Sequence, residues 1–236
     1  MTMRLFTVKH LLFDVDDTLL DFTKAEAAAI YKTFTKHGIP VNDAIIKRYS
    51  EINSFVWKQL EMGLMTREKI LVERFRLLFE ELGIRDVSSR DVQDTYEYLL
   101  GVGHYFVDGA EELLRTLHGK YELYIVSNGT WNVQERRLNS AGIVPYFNDV
   151  FVSERIGHHK PSKEFFDTCF ERIPGFDRDN ALIIGDRLSS DILGGINAGV
   201  RTCWFNPKNE APDPRIPADY EIHKLSELPE LLFRLS

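Results

Sequence analysis

Cysteine is scarce: Cys169 and Cys203 are the only two in 236 residues. Neither lies in a Cys-x-x-Cys pair, and a chain this long needs no disulfide staples, so both read as reduced core thiols. Positive charge is also short. The formal net charge of -7 argues against polymeric nucleic acid or an anionic membrane surface as partner. No apolar run is long enough to span a bilayer. No signal peptide is evident either. Met1 to Lys9 is short and mixed, and the apolar run after it is broken by Asp14, Asp16 and Asp17, which predicts a cytoplasmic address. Internal repeats and low-complexity tracts are missing, as is any signal of oligomeric state. What remains, 44% hydrophobic and 28% charged, is a globular chain with room for one domain and a sizeable insert. An anionic small substrate would need a local nest of positive charge here, from a metal, a lysine or backbone N–H groups.

Several short apolar runs end in polar residues. They are Val8–Phe13 before Asp14, Leu123–Val126 before Ser127, Asp149–Val152 before Ser153, Ala181–Ile184 before Gly185-Asp186, and Thr202–Phe205 before Asn206. Each has the length of a strand and is apolar on both faces, as in a parallel sheet covered by helices. Helical stripes lie between them, such as Ala110, Leu113, Leu114 and Leu117, or Phe165, Phe166, Cys169 and Phe170. Gly199 is placed to cap the stripe through Ile192 and Ile196. Residues 20–106 break the rhythm with four helical patterns, near 24–37, 43–62, 66–82 and 90–101. The predicted architecture is therefore an α/β Rossmann-like core, residues 1–19 and 107–236, with an all-helical domain, 20–106, inserted after the first strand. Ligands of such sheets bind at the carboxyl ends of the strands, where the polar residues collect.

Four segments carry candidate chemistry. In Asp14-Val15-Asp16-Asp17-Thr18, an apolar strand delivers carboxylates that repel one another unless a cation compensates. The same residues could also form an acidic turn that caps the next helix. Gly185-Asp186 is followed by Asp191, a set of oxygen ligands suited to a hard cation, although Asp191 could merely favour a helix N-terminus. Ser127-Asn128-Gly129 offers a hydroxyl and backbone N–H groups to phosphate oxygens, and is equally an ordinary turn. Lys160 precedes Pro161, and alone would pass for a surface charge. His158 and His159 lack a zinc partner pattern.

Taken in chain order, Asp14-x-Asp16-x-Thr18, Ser127, Lys160 and Gly185-Asp186-x-x-x-x-Asp191 resemble the motifs of the haloacid dehalogenase (HAD) superfamily of hydrolases. The resemblance runs through essentially the whole chain, and the helical insert resembles the cap of one subclass. It implies a Mg²⁺-dependent phosphomonoesterase that passes through an aspartyl-phosphate. Asp14 is then the nucleophile and Asp16 the general acid and base. Thr18 positions Asp16, Ser127 and Asn128 help bind the phosphoryl group, and Lys160 neutralises charge. The metal falls to Asp14, the Asp16 backbone carbonyl, Asp186 and Asp191. Dehalogenating members lack an aspartate at the position of Asp16, since halide leaves without a proton. Gln134, Arg137-Leu138 and the Ser190–Trp204 segment resemble the pyrimidine 5′-nucleotidase branch, which implies a nucleoside monophosphate substrate. Sugar phosphates, or a phosphomutase reaction, are the alternative, and a phosphoaspartate receiver domain is the non-enzyme one. Phe22, Phe55, Trp57, Tyr96, Tyr98, Tyr105 and Phe106 could stack on a base, although aromatics at helical spacing commonly build a core.

Overall fold

The computed structural model describes residues 7–235, which divide into two compact units. One runs up to Asp21 and resumes at Tyr105; the other is the continuous segment Phe22–His104.

The discontinuous unit is built on a six-stranded sheet with β1 His10–Phe13, β2 Glu122–Ser127, β3 Asp149–Val152, β4 Ala181–Gly185, β5 Arg201–Phe205 and β6 Tyr220–Ile222. The order is β3-β2-β1-β4-β5-β6, and every neighbouring pair is parallel. β1 is therefore flanked by β2 on one side and β4 on the other, and the chain changes direction across the sheet there. A crevice opens at such a switch point.

Side chains alternate along the strands and build two cores. Leu11, Phe13, Leu123, Ile125, Leu182 and Ile184 face the helices Ala110–Leu117 and Leu228–Leu235. Leu12, Tyr124, Val126 and Ile183 pack instead with Phe165, Phe166, Cys169 and Phe170 of the helix Lys163–Arg172. This is the α/β parallel sheet with helices on both faces that the apolar runs predict. Small residues let the helix Leu193–Ala198 sit close to the sheet: a Cβ on Gly195 would overlap Thr202. Gly199, at φ +68°, closes that helix in the left-handed conformation. β6 is an addition to the predicted strands. It follows the irregular stretch that begins at Asn206 and forms the sheet edge beyond β5.

The continuous unit contains four helices, Phe22–Lys36, Asp43–Glu61, Arg67–Leu82 and Ser89–Leu100. Asn42, Thr66 and Ser88 cap the last three by accepting N–H groups of Ile45, Lys69 and Asp91. Its core joins the rings of Tyr49, Phe75 and Tyr96, with centroids 5.1–5.5 Å apart. Tyr96 is fully buried there, so its ring is core rather than a surface for stacking, whereas Phe55 and Tyr98 are exposed. Arg74 is buried in the same core. It donates to Asn53 Oδ1 (2.9 Å) and Gln93 Oε1 (2.7 Å), while Asn53 donates to Glu26 (2.7 Å). Among the described residues no helix is long and apolar enough to cross a membrane.

Candidate active site

Asp14 continues β1 past its apolar residues: its N–H donates to the Ile184 carbonyl of β4 at 2.9 Å. The chain then turns back on itself. The Val15 carbonyl accepts the N–H groups of Leu19 and Leu20, both at 2.9 Å, and Asp17 takes φ +61°, a left-handed conformation that aspartate tolerates better than most residues. Asp14 is thereby buried at the strand end, and Asp16 stays partly exposed two residues later.

Lys160 reaches the same point from the loop before Pro161 and is only 1% exposed. Its Nζ donates to Asp14 Oδ1 (2.6 Å), Asp191 Oδ1 (2.6 Å) and the Val126 carbonyl (2.8 Å), which uses all three ammonium protons. The backbone that carries it is clamped. Asn128 Oδ1 accepts the Lys160 N–H at 2.8 Å, and Asn128 Nδ2 donates to the Lys160 carbonyl at 2.9 Å. The side chain of Asn128, expected at the phosphoryl group, is thus engaged with the lysine loop.

Asp191 lies in a wide π-helical turn, Leu188–Ile192, a geometry that recurs at functional sites. Its Oδ2 accepts the Arg187 N–H at 3.0 Å. Gly185 is what admits it, since any Cβ at 185 would overlap the Asp191 carboxyl group. Asp186 receives the Thr18 hydroxyl on Oδ1 at 3.3 Å, and its carbonyl accepts Trp204 Nε1–H at 2.8 Å. The Thr18 hydroxyl therefore supports Asp186, where the resemblance implied Asp16.

Carboxylate oxygens of Asp14, Asp186 and Asp191 lie within 4.8 Å of one another. Burial pushes the Asp14 carboxyl up to about 7; Lys160 opposes that shift, and Asp191 and Asp16 reinforce it. Asp186 is likewise held well above the usual carboxylate range by burial and then by Asp191 and Asp14. Lys160 moves upward despite burial because two carboxylates bear on it. One ammonium does not neutralise three carboxylates, and an all-oxygen donor set of this kind fits Mg²⁺. Among the described residues His158 and His159 join no metal-binding cluster.

The Asp16 carboxylate stands apart from those three. Its Oδ1 is paired with Arg137 Nη1, and its Oδ2 accepts Gln134 Nε2–H at 2.7 Å. Gln134 Nε2 also donates to Ser127 Oγ at 2.8 Å. Ser127 Oγ accepts the Gly129 N–H as well, at 3.1 Å. Gln134 and Arg137 belong to the site although the sequence presented them only as marks of kinship. Their spacing on one helix face was a readable signal; their partners, 118 and 121 positions away, were not.

The sheet order, the lysine that bridges two aspartates and the trio of carboxylates define a class of enzyme. Residues 8–199 match the haloacid dehalogenase-like hydrolases, and the chain belongs to that family. It is a Mg²⁺-dependent phosphomonoesterase of the HAD type with a helical cap domain, which sets aside the receiver-domain alternative. The HAD-hydrolase YfnB of Bacillus subtilis is 44% identical over 95% of both chains. A magnesium-bound crystal structure of YfnB superposes with a TM-score of 0.91 at 43% identity, over 96% of this chain and 99% of that one. Pyrimidine 5′-nucleotidase PynA of Streptococcus pneumoniae is 35% identical over 95% of this chain and 94% of its own. Pyrimidine 5′-nucleotidase YjjG of Escherichia coli is 30% identical over 94% and 96%.

Proposed function

We propose that the enzyme hydrolyses nucleoside 5′-monophosphates, pyrimidine nucleotides above all, through a phosphoryl group carried on Asp14. The observation that carries the chemistry is the Lys160 ammonium on Asp14 Oδ1, which orients a buried carboxylate at the switch point of the sheet. A carboxylate oxygen of Asp14 attacks phosphorus, and the bond to the nucleoside oxygen breaks as Asp16 supplies a proton to it. Water then attacks the acyl-phosphate, Asp16 takes its proton, and the bond to Asp14 breaks to release inorganic phosphate. Ser127 Oγ and neighbouring N–H groups hold the phosphoryl oxygens, and Lys160 offsets their charge. Bound Mg²⁺ would be held by Asp14, Asp186, Asp191 and the Asp16 carbonyl, and would supply the remaining counter-charge. Asn128 acts here through Lys160, and Thr18 through Asp186.

The nucleotide assignment is supported by the full-length likeness to PynA and YjjG. The two cysteines, both free and buried, are in keeping with a reducing compartment such as the cytoplasm. Phosphate release from UMP, dTMP, AMP, ribose 5-phosphate and glucose 6-phosphate with Mg²⁺ tests the proposal, with Asp14→Asn as the inactive control. The expected order puts UMP and dTMP first in kcat/KM. Sugar phosphates that equal or exceed them would remove the nucleotide assignment and leave the phosphatase standing.

A further inference from the structure

We infer that Gln134 and Arg137 are positioning residues that hold the Asp16 carboxylate beside Ser127 and away from the metal-binding trio. The inference rests on the reading of Asp16 as general acid and base.

The two side chains lie three positions apart on the helix Trp131–Ser140, so they share a face. They are among the most buried polar groups in the protein, Gln134 at 1% exposure and Arg137 at 0%. Burying a charged pair is costly, and apolar residues of similar volume in place of both partners are often neutral or stabilising. The presence of Arg137 calls for another reason, and its partner supplies one. Arg137 Nη1 meets Asp16 Oδ1 and also donates to Gln134 Oε1 at 3.1 Å. Gln134 Nε2 meets Asp16 Oδ2 (2.7 Å) and Ser127 Oγ (2.8 Å). Both oxygens of Asp16 are thus gripped, which fixes the plane of the carboxylate as well as its place. The same amide ties that carboxylate to the hydroxyl assigned to the phosphoryl group.

Gly129 is part of this arrangement. A Cβ there would come within 2.7 Å of Gln134 Nε2 and 2.8 Å of its Cγ, so glycine is what lets Gln134 reach both partners. The arrangement also answers an electrostatic problem. Asp16 follows Asp14 by two residues, and a fourth carboxylate free to swing could bind the cation itself and be lost as a proton carrier. Arg137 gives it a competing counter-charge on the side of Ser127.

The test uses phenyl phosphate, whose leaving oxygen needs a proton, and 4-nitrophenyl phosphate, whose leaving oxygen does not. These substrates make it independent of the nucleotide assignment. Arg137→Met, Gln134→Met and Gly129→Ala are each compared with Asp16→Asn. We expect each latch variant to lose at least about tenfold more kcat on phenyl phosphate than on the activated ester, within the ~10²–10⁴ that a positioned acid contributes. In an Asp16→Asn background, Arg137→Met should add little further loss. Merely structural damage would depress both substrates alike, and Gly129→Ala probes the latch with Arg137 intact should Arg137→Met fail to fold. If Asp16→Asn shows the leaving-group effect and the latch variants do not, the inference is wrong and the acid reading stands. If Asp16→Asn shows none, the acid reading falls and takes the latch with it.

Discussion

Lys160→Met exchanges the ammonium for an uncharged side chain of similar length. Three hydrogen bonds disappear, at 2.6, 2.6 and 2.8 Å, two of which end on carboxylates. Asp14 and Asp191 then remain buried without that counter-charge, and removal of one partner from a buried ion pair costs about 3–5 kcal/mol. For a chain of this size each kcal/mol moves Tm by roughly 2–4 °C, so the metal-free midpoint should drop by roughly 6–20 °C. Added Mg²⁺ should narrow the deficit, because the cation meets the same carboxylates. The catalytic loss should exceed what stability explains: withdrawal of one preorganised donor from developing charge costs about 10²–10³ in kcat. Lys160→Arg should not restore activity. A guanidinium spreads its protons over a planar fork, while here three acceptors converge on one nitrogen in a site 1% exposed. Steady-state phosphate release at saturating Mg²⁺, with calorimetry in Mg²⁺ and in chelator, measures both effects. A Lys160→Met enzyme within tenfold of wild-type kcat at unchanged Tm, or full rescue by arginine, would refute the reasoning.

Asp186→Ala should raise the Mg²⁺ concentration for half-maximal activity by at least about tenfold, since it removes one of three clustered carboxylates; an unshifted Mg²⁺ titration would show that Asp186 is no ligand. A pH effect is expected at the opposite end of β1. His10 is fully buried, 3.1 Å from Glu122 Oε2 and against the rings of Tyr124 and Phe176. Burial holds its imidazole below the usual value, opposed by Glu122 and aided by Lys9. The unfolded chain therefore takes up this proton first as pH falls, so the contribution to stability is present above about pH 6.5 and is lost on acidification through the lowered folded value. His10→Phe should flatten the acid side of the urea-midpoint profile between pH 7 and 5; identical slopes for the two proteins would discard this account.

The strands were legible because a sheet covered on both faces writes itself as short apolar runs. Asp149–Val152 begins and ends as predicted, while Val8 and Lys9 lie before β1, which starts at His10. Three of the five runs end on residues of the site, at Asp14, Ser127 and Gly185-Asp186, and Lys160 and Asp191 converge with Asp14 there, while Asn206 bonds instead to Glu210 and Glu221. β6 escaped because three residues with Glu221 at their centre carry no periodicity to read. The partners of Asn128, Thr18 and Gln134 escaped for a different reason. Each is a short polar side chain whose preferred neighbour depends on how loops from separate strands meet, and local pattern holds no record of that. Tyr96 shows the limit of composition: its ring suits a base, and the helix turned it toward Tyr49 and Phe75.

The place of β1 in the sheet also bears on how the chain is made. β1 is central, yet both of its neighbours come much later in the chain, at Glu122–Ser127 and Ala181–Gly185. During synthesis Leu11-Leu12-Phe13 must wait for more than a hundred residues before its edges are paired, and pairings so distant in sequence form slowly. An unpaired apolar strand invites association with other chains, and charged residues directly flanking it oppose that. Asp14, Asp16 and Asp17 stand in that position on the ribosome-bound chain. Asp14, which later joins Asp186 and Asp191 at the sheet's switch point, would thus first serve, with its two acidic neighbours, to oppose association of the unpaired strand.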